Sequence, residues 1–214
     1  MYLRAYLRRK EQLEIAEMQD IVLSLLMEIF EQPPVMHGGT VIWRVYKSPR
    51  FSEDLDFYLK KTDINLRKIL EKKLITFDLK LSKFRETRNA IYCEVIGKRR
   101  LRLEFMKKPW NFREVEAEYE LVNGGFMLIK TLEPCDLLRE KVLAFRDRKK
   151  ARDLFDIYYL LNIVGRQCSI PEINSIIPLL SSPPSDWREL RVLIIRGVPP
   201  SFESVKRKII GMVR

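Results

Sequence analysis

The sequence predicts an α/β (α+β) fold, a mixed sheet with flanking helices followed by a C-terminal helical domain. Two periodicities and one break point carry that prediction. Apolar residues recur at helical spacing near the start and again after Pro134, while between about residues 75 and 105 they alternate with polar ones. The last strand-like run, at 126–129, ends just before Pro134 opens the helical pattern, so the chain divides near residue 132. Residues 1–132 are expected to form the α/β core with its N-terminal helix, and 133–214 the helical domain.

Residues 1–31 read as a helix. Ile15, Met18, Ile21, Val22, Leu25, Leu26 and Ile29 form one apolar stripe, and Pro33 and Pro34 stop it. Val35-Met36-His37 reads as a short strand delivering the glycine pair Gly38-Gly39. A short helix is expected from about Thr40, then a loop, then a strand over 54–57. A further helix is expected over 62–73, with Ile64, Leu66, Ile69, Leu70 and Leu74 facing inward. Three half-exposed strands are expected next: one bearing Ile75, Phe77, Leu79 and Leu81, one bearing Ile91, Cys93 and Val95, and one bearing Leu101, Leu103 and Phe105. Residues 109–125 give no clear pattern before the turn Asn123-Gly124-Gly125. After Pro134, Leu137, Leu138, Val142 and Phe145 share one helix face, and a second helix carries Leu154, Ile157, Tyr158 and Leu161. Prolines at 171, 183–184 and 199–200 punctuate three further helices.

The stretch from His37 to Phe57 holds the chemistry. Two glycines let the backbone approach a ligand closely, because no Cβ intervenes. The following helix start presents free N–H groups and the positive end of its dipole, which suits an anion. Asp54 and Asp56 are two apart on a strand, so they share a face, about 6.6 Å apart along its axis. Leu55, Phe57 and Leu59 point the other way, into a core. A phosphate cradle beside paired carboxylates that can hold hard divalent cations meets the needs of nucleotidyl transfer. A third acid on a neighbouring strand would complete the ligand set. Glu104 is the best placed by alternation, with Glu94 and Asp78 as rivals. His37 is expected to be satisfied locally, and Trp43 and Tyr46 to pack the short helix.

The order Gly-Gly, helix, Asp-x-Asp resembles the nucleotidyltransferase signature of the DNA polymerase β superfamily. The wording GGT…RFSEDLDF is similar to the AbiEii/AbiGii toxin family of nucleotidyltransferase-like toxins. A second block, Glu140-Lys141 on one helix and Arg152-Asp153-Leu154-Phe155-Asp156 opening the next, resembles that family's other signature. The resemblance covers most of residues 15–165 and implies a nucleotidyltransferase-type core. It implies transfer of a nucleotide from a nucleoside triphosphate (NTP) to an acceptor, with RNA, and tRNA 3′ ends in particular, as the acceptor class. The implied cofactor is Mg²⁺ or Mn²⁺, bound by Asp54, Asp56 and Glu104. Gly38, Gly39, Thr40, Ser52 and Lys141 would hold the nucleotide's phosphates. Asp54, Asp56, Lys141 and Asp153 would be catalytic, with Asp153 orienting Lys141 or a substrate hydroxyl. Asp156 either joins them or pairs with Arg152 or Arg148. A cognate antitoxin is the implied protein partner. A catalytically silent module of the same fold and a small-molecule nucleotidyltransferase are the alternatives.

The 214 residues carry a formal net charge of +11, which favours a polyanionic partner. Lys98-Arg99-Arg100, Lys107-Lys108, residues 146–150 and Lys206-Arg207-Lys208 could line an RNA groove, with Trp110 and Phe112 loosely interleaved. Three cysteines, widely spaced, and a single histidine argue against structural zinc and suit a reducing cytoplasm. No apolar run is long enough to cross a membrane, no signal-peptide pattern opens the chain, and a monomer is the default expectation.

Overall fold

The computed structural model describes residues 3–60, 64–107 and 111–213. Thr62, Lys108 and Trp110, invoked above for a helix start and an RNA groove, lie outside the described residues. After a short 3₁₀ turn at Leu3–Tyr6, helix α1 spans Lys10–Ile29, so the first helix begins about ten residues later than expected. Met18, Val22, Leu25 and Leu26 of the expected stripe are buried. Strand β1 (Val35–His37) leads directly into helix α2 (Gly38–Arg44), and β2 (Leu55–Tyr58) returns antiparallel to β1. Helix α3 (Leu66–Leu74) is followed by β3 (Lys80–Glu86), β4 (Ala90–Ile96), β5 (Arg100–Met106), β6 (Glu114–Glu120) and β7 (Phe126–Leu132).

The seven strands form one sheet in the order β3-β4-β5-β2-β1-β7-β6. It is mixed: β2 runs parallel to β5, β1 runs parallel to β7, and the remaining pairs are antiparallel. Leu55, Phe57, Leu103 and Phe105 face one side and are buried, with the Phe57 and Phe105 rings stacked 5.1 Å apart. Asp56 and Glu104 therefore face the other side, as the strand period of two requires.

Two strand assignments differ from the sequence reading. Ile75 and Phe77 lie in a 3₁₀ turn that continues α3, and they are 65% and 48% exposed. The chain turns at Asp78, whose backbone is left-handed (φ 55°), and only then enters β3. A register shift between Leu81 and Lys83 then moves the buried phase to Phe84. The unassigned stretch holds β6, whose acids at 114, 116, 118 and 120 alternate with Val115, Ala117 and Tyr119. That period of two was present in the sequence, hidden because its outward face is all glutamate.

Beyond the sheet, α4 (Pro134–Arg148) and α5 (Ala151–Val164) form an antiparallel pair joined by Lys149, left-handed at φ 53°, and Lys150. Pro134 occupies the first turn of α4, where its missing N–H costs nothing. A 3₁₀ segment (Pro171–Ser181), α6 (Leu190–Leu193) and α7 (Phe202–Val213) complete the chain. Leu138, Val142, Ile157 and Val205 join the same buried cluster as Leu26, Phe57 and Phe105, so sheet and helices share one core. Cys135 and Cys168 form a disulfide, Cα atoms 5.7 Å apart, a pairing that their wide spacing in the sequence did not suggest. The antiparallel helix pair brings the start of α4 against the chain leaving α5, a proximity that sequence spacing does not reveal. Among the described residues, no helix is long and apolar enough to cross a membrane.

Phe105 is fully buried against Phe57 and Phe30. Replacing it with Ala is expected to cost about 3–5 kcal/mol of stability, read as a lower urea midpoint with an unchanged slope.

Candidate active site

The β1–α2 turn is built for close approach. Gly38 is left-handed (φ 78°), and a Cβ there would collide with the Asp56 carboxylate. A Cβ on Gly39 would fall 2.5 Å from Ser52 Oγ and 2.6 Å from Arg50 Nη2. Space therefore excludes larger residues at both positions, and at Gly38 the left-handed backbone does so as well. The buried Thr40 hydroxyl donates to the carbonyl of Asp54 at 2.5 Å, so it ties the turn to the acidic strand instead of facing a ligand. Gln19 of α1 donates to the carbonyl of Ser52 at 2.9 Å. At the far end of α2, the buried Arg44 is held by Asp20, by the Tyr119 hydroxyl at 2.9 Å and by the Ala16 carbonyl at 3.0 Å. Trp43 is buried and Tyr46 donates to the Leu132 carbonyl at 2.8 Å, so both are packing residues, as expected.

Strand register sets out the acids. His37 pairs with Asp56, Asp56 with Glu104, Glu104 with Tyr92, and Tyr92 with Arg85. These five residues form one row across β1, β2, β5, β4 and β3. A second row runs Lys83, Glu94, Arg102 and Asp54. Apart from His37, the two rows line a cavity of about 480 Å³ that includes Asp54, Asp56, Glu104, Tyr92, Arg85 and Lys83. A larger cavity of about 840 Å³ lies at the other end of β2, but among the described residues Glu86 is its only carboxylate, so it lacks the acid set there.

Burial raises the Asp56 carboxyl above the ordinary range; the charge of His37 opposes this and that of Asp54 adds to it. Burial likewise raises Glu104, with Asp56 contributing. These carboxylates destabilise one another, and an added cation would relieve them. Asp54 has a partner already: Arg102 grips it with two hydrogen bonds, 2.9 and 3.1 Å long. Among the described residues no three His, Cys, Asp or Glu side chains stand close enough to hold a metal ion. The expected trio of Asp54, Asp56 and Glu104 is thus not assembled as drawn, because Asp54 is turned onto Arg102. Of its rivals, Glu94 is occupied by Ser82, Lys83 and Arg100, and Asp78 sits in the turn before β3.

The second block forms a buried charge cluster under the glycine turn. Arg50 reaches Asp156 with two hydrogen bonds of 2.7 and 2.8 Å. Lys141 Nζ lies 2.9 Å from Asp156 and 3.7 Å from Asp153, and Arg148 grips Asp153 with bonds of 2.6 and 2.7 Å. Lys141 therefore points into this cluster and is not among the residues lining the acidic cavity. Asp156 pairs with Arg50 and Lys141 in place of Arg152 or Arg148, since it faces α4 and the loop before β2. Burial would raise Asp156, but Arg50 and Lys141 outweigh it and hold its carboxyl below the ordinary range. Three cations against two carboxylates leave a positive surplus beside Gly39.

His37 is not satisfied within its own turn. Its Nδ1 lies 3.2 Å from Glu140 of α4, its ring stacks on Tyr58, and its buried Nε2 has no partner among the described residues. The Tyr58 hydroxyl also donates to Glu140. Burial disfavours the imidazolium, yet Glu140 outweighs it, with help from Asp56, and holds His37 above its usual pKa. Arg50, Arg102 and Glu140 were thus missed as partners, and Arg148, expected as a possible partner of Asp156 or in a groove, meets Asp153 instead. Their signal was faint: Arg50 and Glu140 stood inside the quoted motifs, while Arg102 read as an outward polar residue of a strand. Several expected groove cations are also engaged: Arg99 with Glu14, Lys107 with Glu86 and Arg146 with Asp147. Phe112 packs on Tyr58, centroids 5.3 Å apart.

Comparison with known proteins follows this geometry. The family model described as "Nucleotidyl transferase AbiEii toxin, Type IV TA system" matches residues 19–180. The crystal structure of JHP933 from Helicobacter pylori superposes with a TM-score of 0.64 at 20% identity, covering 95% of this chain and 90% of that one. A structure described as "putative nucleotidyltransferase from H. pylori" gives 0.65 at 20% identity, covering 95% and 93%. At that identity the likeness is one of fold. No curated protein matches the sequence.

Because His37 is the sole histidine, its titration can be followed alone by NMR. It is expected to titrate above about 6.5, and Glu140→Gln should bring the value down. A raised folded-state value means its stabilisation is complete below the unfolded pKa and is lost as pH rises through the folded one. Denaturant midpoints measured upward from about pH 6 should therefore fall more in the wild type than in Glu140→Gln.

Proposed function

The chain belongs to the AbiEii nucleotidyl transferase toxin family, and from that premise we propose the reaction in more detail. The protein transfers a nucleoside monophosphate from an NTP to the 3′ end of an RNA acceptor, tRNA in particular. It acts as the toxin of a pair whose cognate antitoxin restrains it. The observation that carries this reading is the row joining Asp56 and Glu104, two carboxylates with raised pKa values facing one cavity beside Gly38 and Gly39.

That donor set fits a divalent cation such as Mg²⁺ or Mn²⁺, because a dication removes the mutual repulsion that burial makes costly. Asp56 and Glu104 would hold it, joined by Asp54 on release from Arg102. When bound, such a cation supplies Lewis-acid neutralisation of phosphate charge. The chain's own groups do the rest. Gly38 and Gly39 open the approach to the phosphates, and the Ser52 hydroxyl lies at its edge. The surplus positive charge of Arg50, Lys141 and Arg148 over Asp153 and Asp156 favours an anionic triphosphate on that side of Asp56. Asp153 and Asp156 position Lys141. In the transfer, the acceptor's 3′-hydroxyl gives up its proton to solvent, its oxygen bonds to the α-phosphorus, the bond from that phosphorus to the α–β bridging oxygen breaks, and pyrophosphate leaves. The net charge of +11 supports a polyanionic acceptor over a small molecule.

The test is incubation with α-labelled NTPs, Mg²⁺ and total RNA. Label is expected on RNA, and Asp56→Asn is expected to lower the rate at least about 10²-fold while leaving the protein folded by circular dichroism. Label on a small acceptor alone would favour an antibiotic-modifying activity. Binding of labelled NTP with no transfer to any acceptor would favour a silent binding module.

A further inference from the structure

Tyr92 stands in the middle of the acidic cavity wall and is 44% exposed, an unusual state for an aromatic ring inside a sheet. Its neighbours in the row are Glu104 on one side and Arg85 on the other. The Tyr92 hydroxyl beside Glu104 opposes part of the rise that burial gives that carboxyl. Arg85 is exposed and makes no ion pair among the described residues. Lys83, also exposed, has Glu94 as its one ion-pair partner among the described residues, at 3.6 Å. The wall thus passes from carboxylates through an open aromatic face to Lys83, loosely held by Glu94, and Arg85, unpaired among the described residues.

We propose that this wall is a subsite for the single-stranded 3′ end of the acceptor RNA, with the terminal base stacked on Tyr92 and the preceding phosphates on Arg85 and Lys83. The inference rests on the transfer reading above and adds the place where the acceptor lies. Two arguments carry it. Strands lie about 4.8 Å apart, so Tyr92, two strands from Asp56, is about 10 Å away, a gap that one ribose and its base bridge. Arg85 is one strand further out, in reach of the next phosphate. Phosphoryl transfer also needs attacking and leaving oxygens roughly in line. In the order β4-β5-β2-β1 the glycine turn and the buried cations flank Asp56 on the β1 side. Tyr92 flanks it on the opposite side, which leaves that side for the attacking hydroxyl. An aromatic face accepts any base, so this subsite grips the strand end without choosing its sequence.

The test uses the full-length protein and a fluorescein-labelled single-stranded oligoribonucleotide of about 8 nucleotides, read by anisotropy. Tyr92→Ala is expected to weaken binding about 10-fold, and Tyr92→Phe to stay within about twofold because stacking survives. Arg85→Ala is expected to lower the slope of log affinity against log salt by about one. The KM for NTP should be unchanged in all three. Undiminished oligoribonucleotide binding by Tyr92→Ala overturns the proposal, as does a loss that falls on NTP instead. Binding needs no turnover, so the two readings fail separately. If the wild type labels no RNA but Tyr92→Ala still loses affinity, the transfer reading falls and the subsite stands.

Discussion

The parallel pairing of β2 with β5 is the constraint on which the site depends. It sets Asp56 opposite Glu104 and, through β4, places Tyr92 and Arg85 in the same row. A slip of one residue would turn each of these side chains to the apolar face, where Phe57 and Phe105 now stack. The same stack therefore holds the register: moving it would expose two buried rings and bury two carboxylates. Core packing on one face of the sheet fixes charge placement on the other.

A second constraint joins the helical part to the sheet. Arg50, Lys141, Asp153 and Asp156 are almost wholly buried. Burying four such ions is tolerable only when nearly every donor and acceptor is matched. Here each carboxylate meets two cations: Asp156 meets Arg50 and Lys141, and Asp153 meets Arg148 and Lys141. Such a network contributes little net stability, yet it locks α4 and α5 against the loop that carries Arg50 and Ser52. A structure held this way keeps positive charge close to the glycine turn without losing it to solvent screening.

The two halves of the site differ in how they meet their charges. Beside Gly39, cations exceed carboxylates. Toward Glu104, carboxylates crowd one another and their pKa values rise. A metal–triphosphate complex has the opposite distribution, negative at its phosphates and positive at its metal. Under the proposed transfer this arrangement complements that ligand, and crowding the acids is the cost of keeping it so before the ligand arrives.

What the sequence determined by itself was local: the double glycine, the alternation placing Asp54 and Asp56 beyond the core face, the amphipathic helices and the second block around Lys141 and Asp153. Each follows from periodicity or from backbone freedom within a few residues. Strand β6 was not read, because its alternating glutamates lacked a facing run of large apolar residues. Tertiary structure alone decided the partners. Whether Asp54 meets Arg102, whether Lys141 turns to Asp156, whether His37 finds Glu140 about a hundred residues away, and whether Cys135 meets Cys168 all depend on which strands neighbour and which helices cross. Charge pairing acts over a few ångströms in space and leaves no period along the chain, so only the folded arrangement could specify it.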